Sequence, residues 1–214
     1  LPFSIRYSLA TAVRKNRLPY ELLNPGDEVI QIGAPADLIQ SGRSRGINFI
    51  QLVRPGGKVL IIEPDPGSFS VLKKIVEGNG LSDSCTLVNM GVWSESGSLQ
   101  FIRCPSHPAS SQLVSVASRQ SSSIVDNANI IEVPVDTLEA ICSDKGFENV
   151  KLLSITTNGA ELDILAGSSE WLKGYTGHVS LADTGEGYVE AMESYGFELQ
   201  CLDDRGYLFK RSSL

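Results

Sequence analysis

The amino-acid sequence predicts an α/β protein with a doubly wound, mostly parallel sheet that a C-terminal antiparallel hairpin closes. First, apolar runs at residues 29–32 and 59–62 flank a segment whose apolar residues have helical spacing, the pattern of a strand–helix–strand unit. Second, strand and helix patterns alternate after residue 130, and the chain ends in two strand patterns joined by the turn at 203–206.

The N-terminal residues 1–24 are predicted to form a helical extension. Apolar residues at helical spacing alternate with basic ones over residues 5–23, and Pro19 is expected to break the helix. Residues 25–214, which contain no internal repeat or linker, are predicted to form one α/β domain. A start at Leu1 rather than at a methionine is consistent with a piece of a longer chain.

The first strand–helix–strand unit contains a candidate nucleoside site. The first strand stops at Gly33, and the second strand ends at Glu63. In doubly wound sheets a ligand binds at the glycine that ends the first strand. An acidic residue after the second strand accepts hydrogen bonds from the ribose hydroxyls of a nucleoside. The alternative is a plain turn at Gly33 and a solvated carboxylate at Glu63.

The middle of the chain is less regular. A helix is predicted over 69–76, and strands are predicted over 85–89 and 98–103. Residues 105–129 are dense in serine and contain two prolines, which predicts a long loop. This loop is either a flap over an active site or a mobile insertion.

The last third returns to regular patterns. Strands are predicted over 130–135, 150–155 and 178–182, and a closing hairpin over 197–210. Helices are predicted after Thr137, from Ala160, and over 186–195.

Composition narrows the class of protein. The net charge of −7 argues against non-specific binding to nucleic acid or to anionic membranes, and no apolar run reaches the roughly 18 residues of a membrane span. A cytoplasmic protein without a membrane segment is therefore expected. Four widely spaced cysteines and two histidines predict reduced thiols and no metal site.

Several blocks of the sequence resemble, in order and spacing, the FkbM family of S-adenosylmethionine-dependent methyltransferases. The blocks are NPGDEVIQIGA, PGGKVLIIEPDP, CTLVNMGVWSESGSLQF, VPVDTLEAI and NGAELDILAG, spread from about residue 25 to the end. The resemblance implies a Rossmann-like class I methyltransferase fold with S-adenosyl-L-methionine as cofactor.

The resemblance also implies roles for individual residues. Gly33 would approach the methionine part of the cofactor, Glu63 would bind both ribose hydroxyls, and the segment around Ser84 would meet the adenine edge. The implied cofactor-binding residues are Gly33, Ala34, Glu63, Pro64, Asp65, Ser84, Asn89 and Gly91. The implied catalytic residues, facing the methyl-transfer region, are Thr156, Asn158 and Glu161.

Three departures from the family pattern affect the catalytic half. The family usually has an acid where this chain has Gln31, and a lysine and two carboxylates within residues 154–158, which here read SITTN. The glycine loop is also longer, and it gains Arg43 and Arg45. Because neutral Thr and Asn are poor proton acceptors, either the substrate differs, or Glu161 and the loop supply the chemistry, or the protein binds without turnover.

Four residues are candidates for substrate contacts. Arg43 and Arg45 could bind a phosphate or carboxylate, or lie in a solvated loop. His107 could be carried in by a closing flap, and Asp183 follows a strand at the crevice edge. Glu161 could instead serve only to stabilise a helix N-terminus.

Three functions are compatible with these patterns. The first is O-methylation of a small acceptor, a sugar or polyketide-like hydroxyl, without a metal. The second is a nicotinamide-dependent oxidoreductase, against which stand the absence of GxGxxG and of a Tyr-x-x-x-Lys pair. The third is a catalytically silent relative that serves as a binding or partner protein.

Overall fold

Seven strands form the main sheet of the protein, whose computed structural model describes residues 2–119 and 129–212. In chain order the helices are α1 (Phe3–Arg14), α2 (Ala36–Gln40), α3 (Arg45–Val53), α4 (Pro66–Gly78), α5 (Val114–Arg119), α6 (Leu138–Lys145), α7 (Glu161–Gly167), α8 (Ser169–Gly174) and α9 (Tyr188–Ser194). The strands are β1 (Glu28–Ile32), β2 (Lys58–Ile62), β3 (Cys85–Val88), β4 (Gly91–Val92), β5 (Gly97–Ile102), β6 (Gln112–Leu113), β7 (Ile130–Asp136), β8 (Val150–Ile155), β9 (His178–Ala182), β10 (Phe197–Leu202) and β11 (Gly206–Arg211).

The main sheet has the order β10-β11-β9-β8-β1-β2-β3. The β1–β2, β2–β3, β1–β8 and β8–β9 pairs are parallel, whereas β11 runs antiparallel to both β9 and β10. This confirms the predicted doubly wound sheet with its closing hairpin. The register places Ile32 of β1 opposite Ile62 of β2 and Ile155 of β8, so the carboxyl ends of the three strands align.

The central strands are buried on both faces, as expected for parallel strands covered by helices. Alternate residues of β1, β2 and β8 point to opposite faces and feed two apolar cores. One core contains Ile30, Ile32, Leu60, Ile62, Leu153 and Ile155. The other contains Val29, Val59, Ile61 and Leu152, together with Phe49 and Ile50 of α3.

A second, four-stranded sheet of order β4-β7-β5-β6 lies in the connection between β3 and β8. The sequence predicted the strands corresponding to β5 and β7 but not their pairing. They run antiparallel, with Ser98 opposite Pro134 and Ile102 opposite Ile130. The side chains of Phe101, Val133 and Val135 are buried, so one face of this sheet packs against the rest of the protein.

The serine-rich segment is more ordered than the sequence predicts. It begins with a 3₁₀ turn at Pro108–Ser110, continues through β6 and ends its described part in α5. The loop prediction is therefore wrong for residues 112–119, because Val116 and Ala117 are buried and hold α5 against the fold. Residues 120–128 of the predicted loop lie outside the described residues.

The N-terminal helix α1 packs against α3. Tyr7 donates a hydrogen bond to the Ile39 carbonyl at 2.8 Å, and Thr11 donates to Asn48 Oδ1 at 2.9 Å. Both residues are buried, so they anchor one side of α1. In the described part of the chain, no helix combines the length and the apolar content needed to cross a membrane.

Candidate active site

The carboxyl ends of β1, β2 and β8 bring Gly33, Glu63 and Thr156 together. The Gly33 N–H donates to the Ile62 carbonyl at 2.9 Å, and the Thr156 N–H donates to the Ile32 carbonyl at 2.9 Å. The ladder thus continues one residue beyond the strands, and a crevice begins where it stops. Ligands of open α/β sheets bind at this edge.

Gly33 occupies a position that a side chain could not share. Its φ is +88°, and a Cβ built there would lie 2.4 Å from the carbonyl oxygen of Thr156. A glycine is required here by the approach of two main chains, whether or not a ligand binds. Its contact with the methionine part of a cofactor stays a prediction.

Glu63 is a buried carboxylate at the floor of the crevice. Its Oε2 accepts a hydrogen bond from the Ala34 N–H at 2.6 Å, and its Oε1 accepts one from the Asp65 N–H at 2.8 Å. Burial raises the pKa of Glu63 to about 7, although both N–H groups favour the ionised form. Each oxygen can accept a second hydrogen bond, which leaves capacity for a ligand.

Asp65, Ser84 and Asn89 support the crevice, and none of them is among the described residues that line its cavity. Asp65 caps α4 by accepting from the Ser68 N–H at 2.9 Å, and it pairs with Arg103 Nε at 2.6 Å. Although burial opposes ionisation, these two contacts lower the pKa of Asp65. Asn89 Nδ2 donates to the Glu63 carbonyl at 2.8 Å, and buried Ser84 ends a short 3₁₀ turn.

The cavity in the crevice has a volume of about 230 Å³. Strand ends form its floor, and the second sheet and the serine-rich segment form a wall. The floor and helix residues are Ile32, Gly33, Pro35, Leu38, Glu63, Pro64, Thr156, Thr157, Asn158, Ala160, Ile164, Ala182, Thr184 and Arg205. The wall residues are Gly91, Val92, Phe101, Pro108, Ala109, Ser111, Gln112, Leu113 and Val135. The lining is mostly apolar, and among these residues Glu63 and Arg205 are the charged ones.

Glu161 is fully buried and lies behind the cavity lining. Its Oε2 accepts a hydrogen bond from Thr184 Oγ1 at 2.7 Å, and the Tyr188 hydroxyl lies 2.9 Å from the same Thr184 oxygen. Burial raises the pKa of Glu161, while the Thr184 hydrogen bond opposes the rise. Thr184 lines the cavity, so its hydroxyl links the buried Glu161 carboxylate to the cavity through a hydrogen bond.

The departures from the family pattern lie side by side. Gln31 of β1 pairs with Ser154 of β8, and Gln31 Nε2 donates to Thr156 Oγ1 at 2.7 Å. The same amide nitrogen lies 2.9 Å from the carbonyl oxygens of both Ile32 and Gly33, so its two N–H groups are shared among three acceptors. An ionised acid at position 31 would turn an oxygen toward these carbonyls and repel them. The neutral Gln31 amide and the neutral Thr156 hydroxyl thus lie together at positions where the family usually has charged side chains.

Arg45 is not in a solvated loop, and its guanidinium is already committed to protein partners. It is buried at the start of α3, where Nη2 lies 3.0 Å from Asp203 Oδ2 and 3.2 Å from Asp204 Oδ1. Its Nη1 donates to Ser180 Oγ at 2.8 Å. Burial opposes the charge of Arg45, but the two aspartates outweigh it and raise the pKa of Arg45.

The other three candidate substrate residues, Arg43, His107 and Asp183, are not among the described residues that line the cavity. Arg43 is exposed, and its Nε donates to Ser41 Oγ at 3.1 Å. His107 is exposed beside Ser106, although its neighbour Pro108 does line the cavity. Asp183 is exposed, and its backbone N–H donates to the Arg205 carbonyl at 2.9 Å.

Sequence reasoning missed Thr184 and Arg205. Thr184 lies one residue after Asp183, and period-2 alternation beyond β9 offered a signal, since Ala182 and Thr184 both line the cavity. Arg205 lies in the turn between β10 and β11, and Asp203 Oδ1 accepts from its N–H at 2.8 Å. The sequence predicted this segment only as a turn and gave no signal of its position.

The cysteines are free thiols, and burial raises the pKa of both Cys85 and Cys142 to about 12. Within residues 2–119 and 129–212, no three His, Cys, Asp or Glu side chains come together in a group that could hold a metal ion.

The sheet order, the closing hairpin and the crevice at the carboxyl ends define the fold of the class I S-adenosylmethionine-dependent methyltransferases. Residues 31–209 match the methyltransferase FkbM domain, and the chain belongs to this family. The search of curated proteins found no significant match.

Two of the solved structures that align with the chain illustrate the shared fold. The crystal structure of the FkbM methyltransferase from Methylobacillus flagellatus KT aligns with a TM-score of 0.55 and 13% identity, covering 92% of this chain and 47% of that chain. A methyltransferase from Geobacter sulfurreducens aligns with a TM-score of 0.50 and 13% identity, covering 99% and 78%. The chain thus spans about half the length of the Methylobacillus protein.

Proposed function

We propose that the protein is an S-adenosylmethionine-dependent methyltransferase that methylates a hydroxyl group of a small acceptor. The observation that carries the proposal is the buried Glu63 carboxylate, which lines the cavity beside Gly33 with acceptor capacity remaining on both oxygens. Two vicinal ribose hydroxyls are the donors that such a carboxylate suits. S-adenosyl-L-methionine, when bound, supplies an electrophilic methyl group.

The residues for cofactor binding divide into lining and supporting groups. Gly33, Glu63, Pro64 and Gly91 line the cavity and would contact the cofactor. Ala34 holds Glu63 Oε2 through its N–H, so its role is to orient the carboxylate. We assign the same supporting role to Asp65, Ser84 and Asn89, which fix the ends of β2 and β3.

The acceptor is proposed to be a molecule with a large apolar surface and a hydroxyl group. Phe101, Leu113, Val135 and Ile164 contribute apolar walls that suit a polyketide-like skeleton better than a carbohydrate, whose hydroxyls would lose water without gaining partners. Thr156, Thr157 and Asn158 line the cavity and offer neutral hydrogen-bonding groups to orient that hydroxyl.

The proton of the acceptor hydroxyl is proposed to leave through Thr184 to Glu161. Thr184 Oγ1 donates to Glu161 Oε2, and its oxygen can accept a hydrogen bond from a hydroxyl in the cavity. As the hydroxyl proton moves to Thr184, the Thr184 proton moves to the carboxylate. Burial raises the pKa of Glu161, which makes it a stronger base than an exposed glutamate.

Calorimetric titration with S-adenosylmethionine and S-adenosylhomocysteine tests the cofactor site. We expect micromolar binding by the wild type and about a tenfold or greater loss in Glu63→Ala, since a buried carboxylate that accepts two hydroxyl hydrogen bonds is removed. Glu77→Ala on the exposed face of α4 is the matched control and should bind as the wild type. Absence of binding to both compounds would overturn the proposal.

A catalytically silent binding protein is the second candidate. The neutral cluster of Gln31, Ser154 and Thr156 favours it, because the charged groups usual in the family are absent from the strand ends. Both candidates predict cofactor binding, so turnover separates them. Transfer of a labelled methyl group to any hydroxyl acceptor, lost in Glu161→Gln, would establish the enzyme. Family membership leaves the nicotinamide alternative without support.

A further inference from the structure

An apolar stripe runs along the outer face of α1. Ile5, Leu9 and Val13 are 47%, 55% and 63% exposed, and their spacing of four residues puts them on one face of the helix. They are three of the six large apolar side chains that are exposed in the described part of the chain. The opposite face is anchored by Tyr7 and Thr11, so α1 presents the stripe outward.

Basic residues flank this stripe, chiefly at the C-terminal end of α1. The first seventeen residues contain four basic side chains and no acidic one, although the whole chain carries a net charge of −7. Arg6 follows Ile5 on α1, and its guanidinium donates to the Gln40 carbonyl. Arg14, Lys15 and Arg17 gather around the end of the helix beyond Val13. Positive charge is thus concentrated where the apolar side chains are exposed.

We propose that α1 docks the protein onto an anionic lipid surface. A helix with an exposed apolar stripe and flanking cations lies in the plane of the interface, with its apolar side chains among the acyl chains and its cations at the headgroups. At twelve residues α1 is about 18 Å long and lies on the bilayer rather than crossing it. The proposal is independent of methyl transfer.

The positive charge of α1 favours an anionic lipid surface over a second copy of the chain as the partner of the apolar stripe. A symmetric contact between parallel α1 helices would bring Lys15 and Arg17 of each copy near the same groups of the other, and like charges would repel. In an antiparallel contact these cations would lie beside the first turn of the other α1, which contains no acidic residue to pair with them. An anionic lipid surface complements the same cations. The acidic remainder of the chain is repelled by the surface, which favours an orientation with α1 toward the lipid.

Co-sedimentation with vesicles of phosphatidylcholine, with and without phosphatidylserine, tests the proposal. We expect binding to the anionic vesicles that is about tenfold stronger than to pure phosphatidylcholine and that weakens as NaCl is raised. Leu9→Asp should reduce binding at least about fivefold, since it removes apolar contact and adds a negative charge. Leu202→Asp, at a residue 67% exposed on β10, is the matched control and should leave binding unchanged.

Three results would overturn the proposal: no binding to anionic vesicles, equal binding to both vesicle types, or equal effects of Leu9→Asp and Leu202→Asp. Analytical ultracentrifugation without lipid checks the competing occupant. A dimer that Leu9→Asp dissociates would assign the stripe to a second copy instead. Circular dichroism of both variants confirms that the comparison is between folded proteins.

Discussion

At Gly33 the main chain leaves β1 with a φ of +88°, and the Thr156 carbonyl oxygen stands 2.4 Å from the site of a Cβ. We expect Gly33→Ala to lower the free energy of unfolding by about 2–4 kcal/mol, because a methyl group would force two strand ends apart in a strained backbone conformation. Urea denaturation measures this change. Gly78→Ala, at a position in α4 with no atom within 4 Å of the added Cβ, should be neutral or slightly stabilising. Equal losses in the two variants would contradict the steric explanation.

The raised pKa of Glu63 predicts that the free energy of unfolding depends on pH. Its pKa in the folded state is about 7, raised by burial from 4.5, so the unfolded chain ionises first as the pH rises. Below about pH 4.5 both states are protonated, and between about 4.5 and 7 stability falls with pH by at most about 3 kcal/mol before levelling off. Glu63→Gln removes this contribution. The difference in unfolding free energy between the two proteins should therefore change across that window, and a constant difference would contradict the predicted pKa.

Individual site residues differ in how readily the sequence predicts them. Gly33 and Glu63 follow strands whose apolar runs are unmistakable, so their place at the same sheet edge could be predicted. Thr184 could not be separated from its neighbour Asp183, because both lie in an exposed segment after β9 and a shift of one residue decides which side chain lines the cavity. The environment of Arg45 depends on Asp203 and Asp204, more than 150 residues away.

The N-terminus of α3 and the turn between β10 and β11 are joined by one buried network. Arg45 pairs with Asp203 and Asp204, Ser180 donates to Asp203 at 2.5 Å, and Tyr20 donates to Asp204 at 2.8 Å. Asp203 in turn accepts from the N–H groups of the same turn that carries Arg205 to the cavity. The network therefore fixes the end of the glycine loop that precedes α3, and it fixes the turn that places Arg205 in the cavity lining.

Arg45→Met tests that network. We expect a loss of about 3–5 kcal/mol in unfolding free energy, because the fully buried side chain of Asp203 would lose its cationic partner. Arg43→Met changes the same residue type two positions earlier, on an exposed side chain, and should cost less than about 0.5 kcal/mol. Thermal denaturation of the two variants side by side makes the measurement. Similar losses would show that the pairs to Asp203 and Asp204 contribute little.

The strands of the second sheet were predictable one by one, but the sheet was not. β5 and β7 have recognisable strand patterns, yet Ser98 pairs with Pro134 across more than thirty residues, and no local signal specifies such a partner. The serine content also concealed β6 and α5, whose few apolar residues suffice to pack them. Pairing between distant segments is decided by tertiary contacts rather than by local preference.

Cofactor binding, if it occurs as proposed, stabilises the folded protein as a whole. At a concentration one hundred times its Kd, S-adenosylhomocysteine should add about 2.7 kcal/mol to the unfolding free energy, which corresponds to a rise in Tm of roughly 5–10 °C for a chain of this size. Differential scanning calorimetry measures the rise, and Glu63→Ala at the same ligand concentration is the control. A wild-type Tm that does not move with ligand would contradict the prediction.

The second sheet has a consequence for how this molecule could diverge. In the described part of the chain its strands pair only with each other, yet Phe101, Leu113 and Val135 form one wall of the cavity. Gly33, Glu63 and Thr156 belong to the edge of the other sheet. Apart from Gly91, which is proposed to contact the cofactor, and Arg103, which pairs with Asp65, the strands of the second sheet can therefore accumulate substitutions while the floor keeps its geometry. Under the proposed function, a chimera that exchanges these strands and keeps Gly91 and Arg103 should take its choice of acceptor from the donor of the strands and its cofactor binding from the recipient.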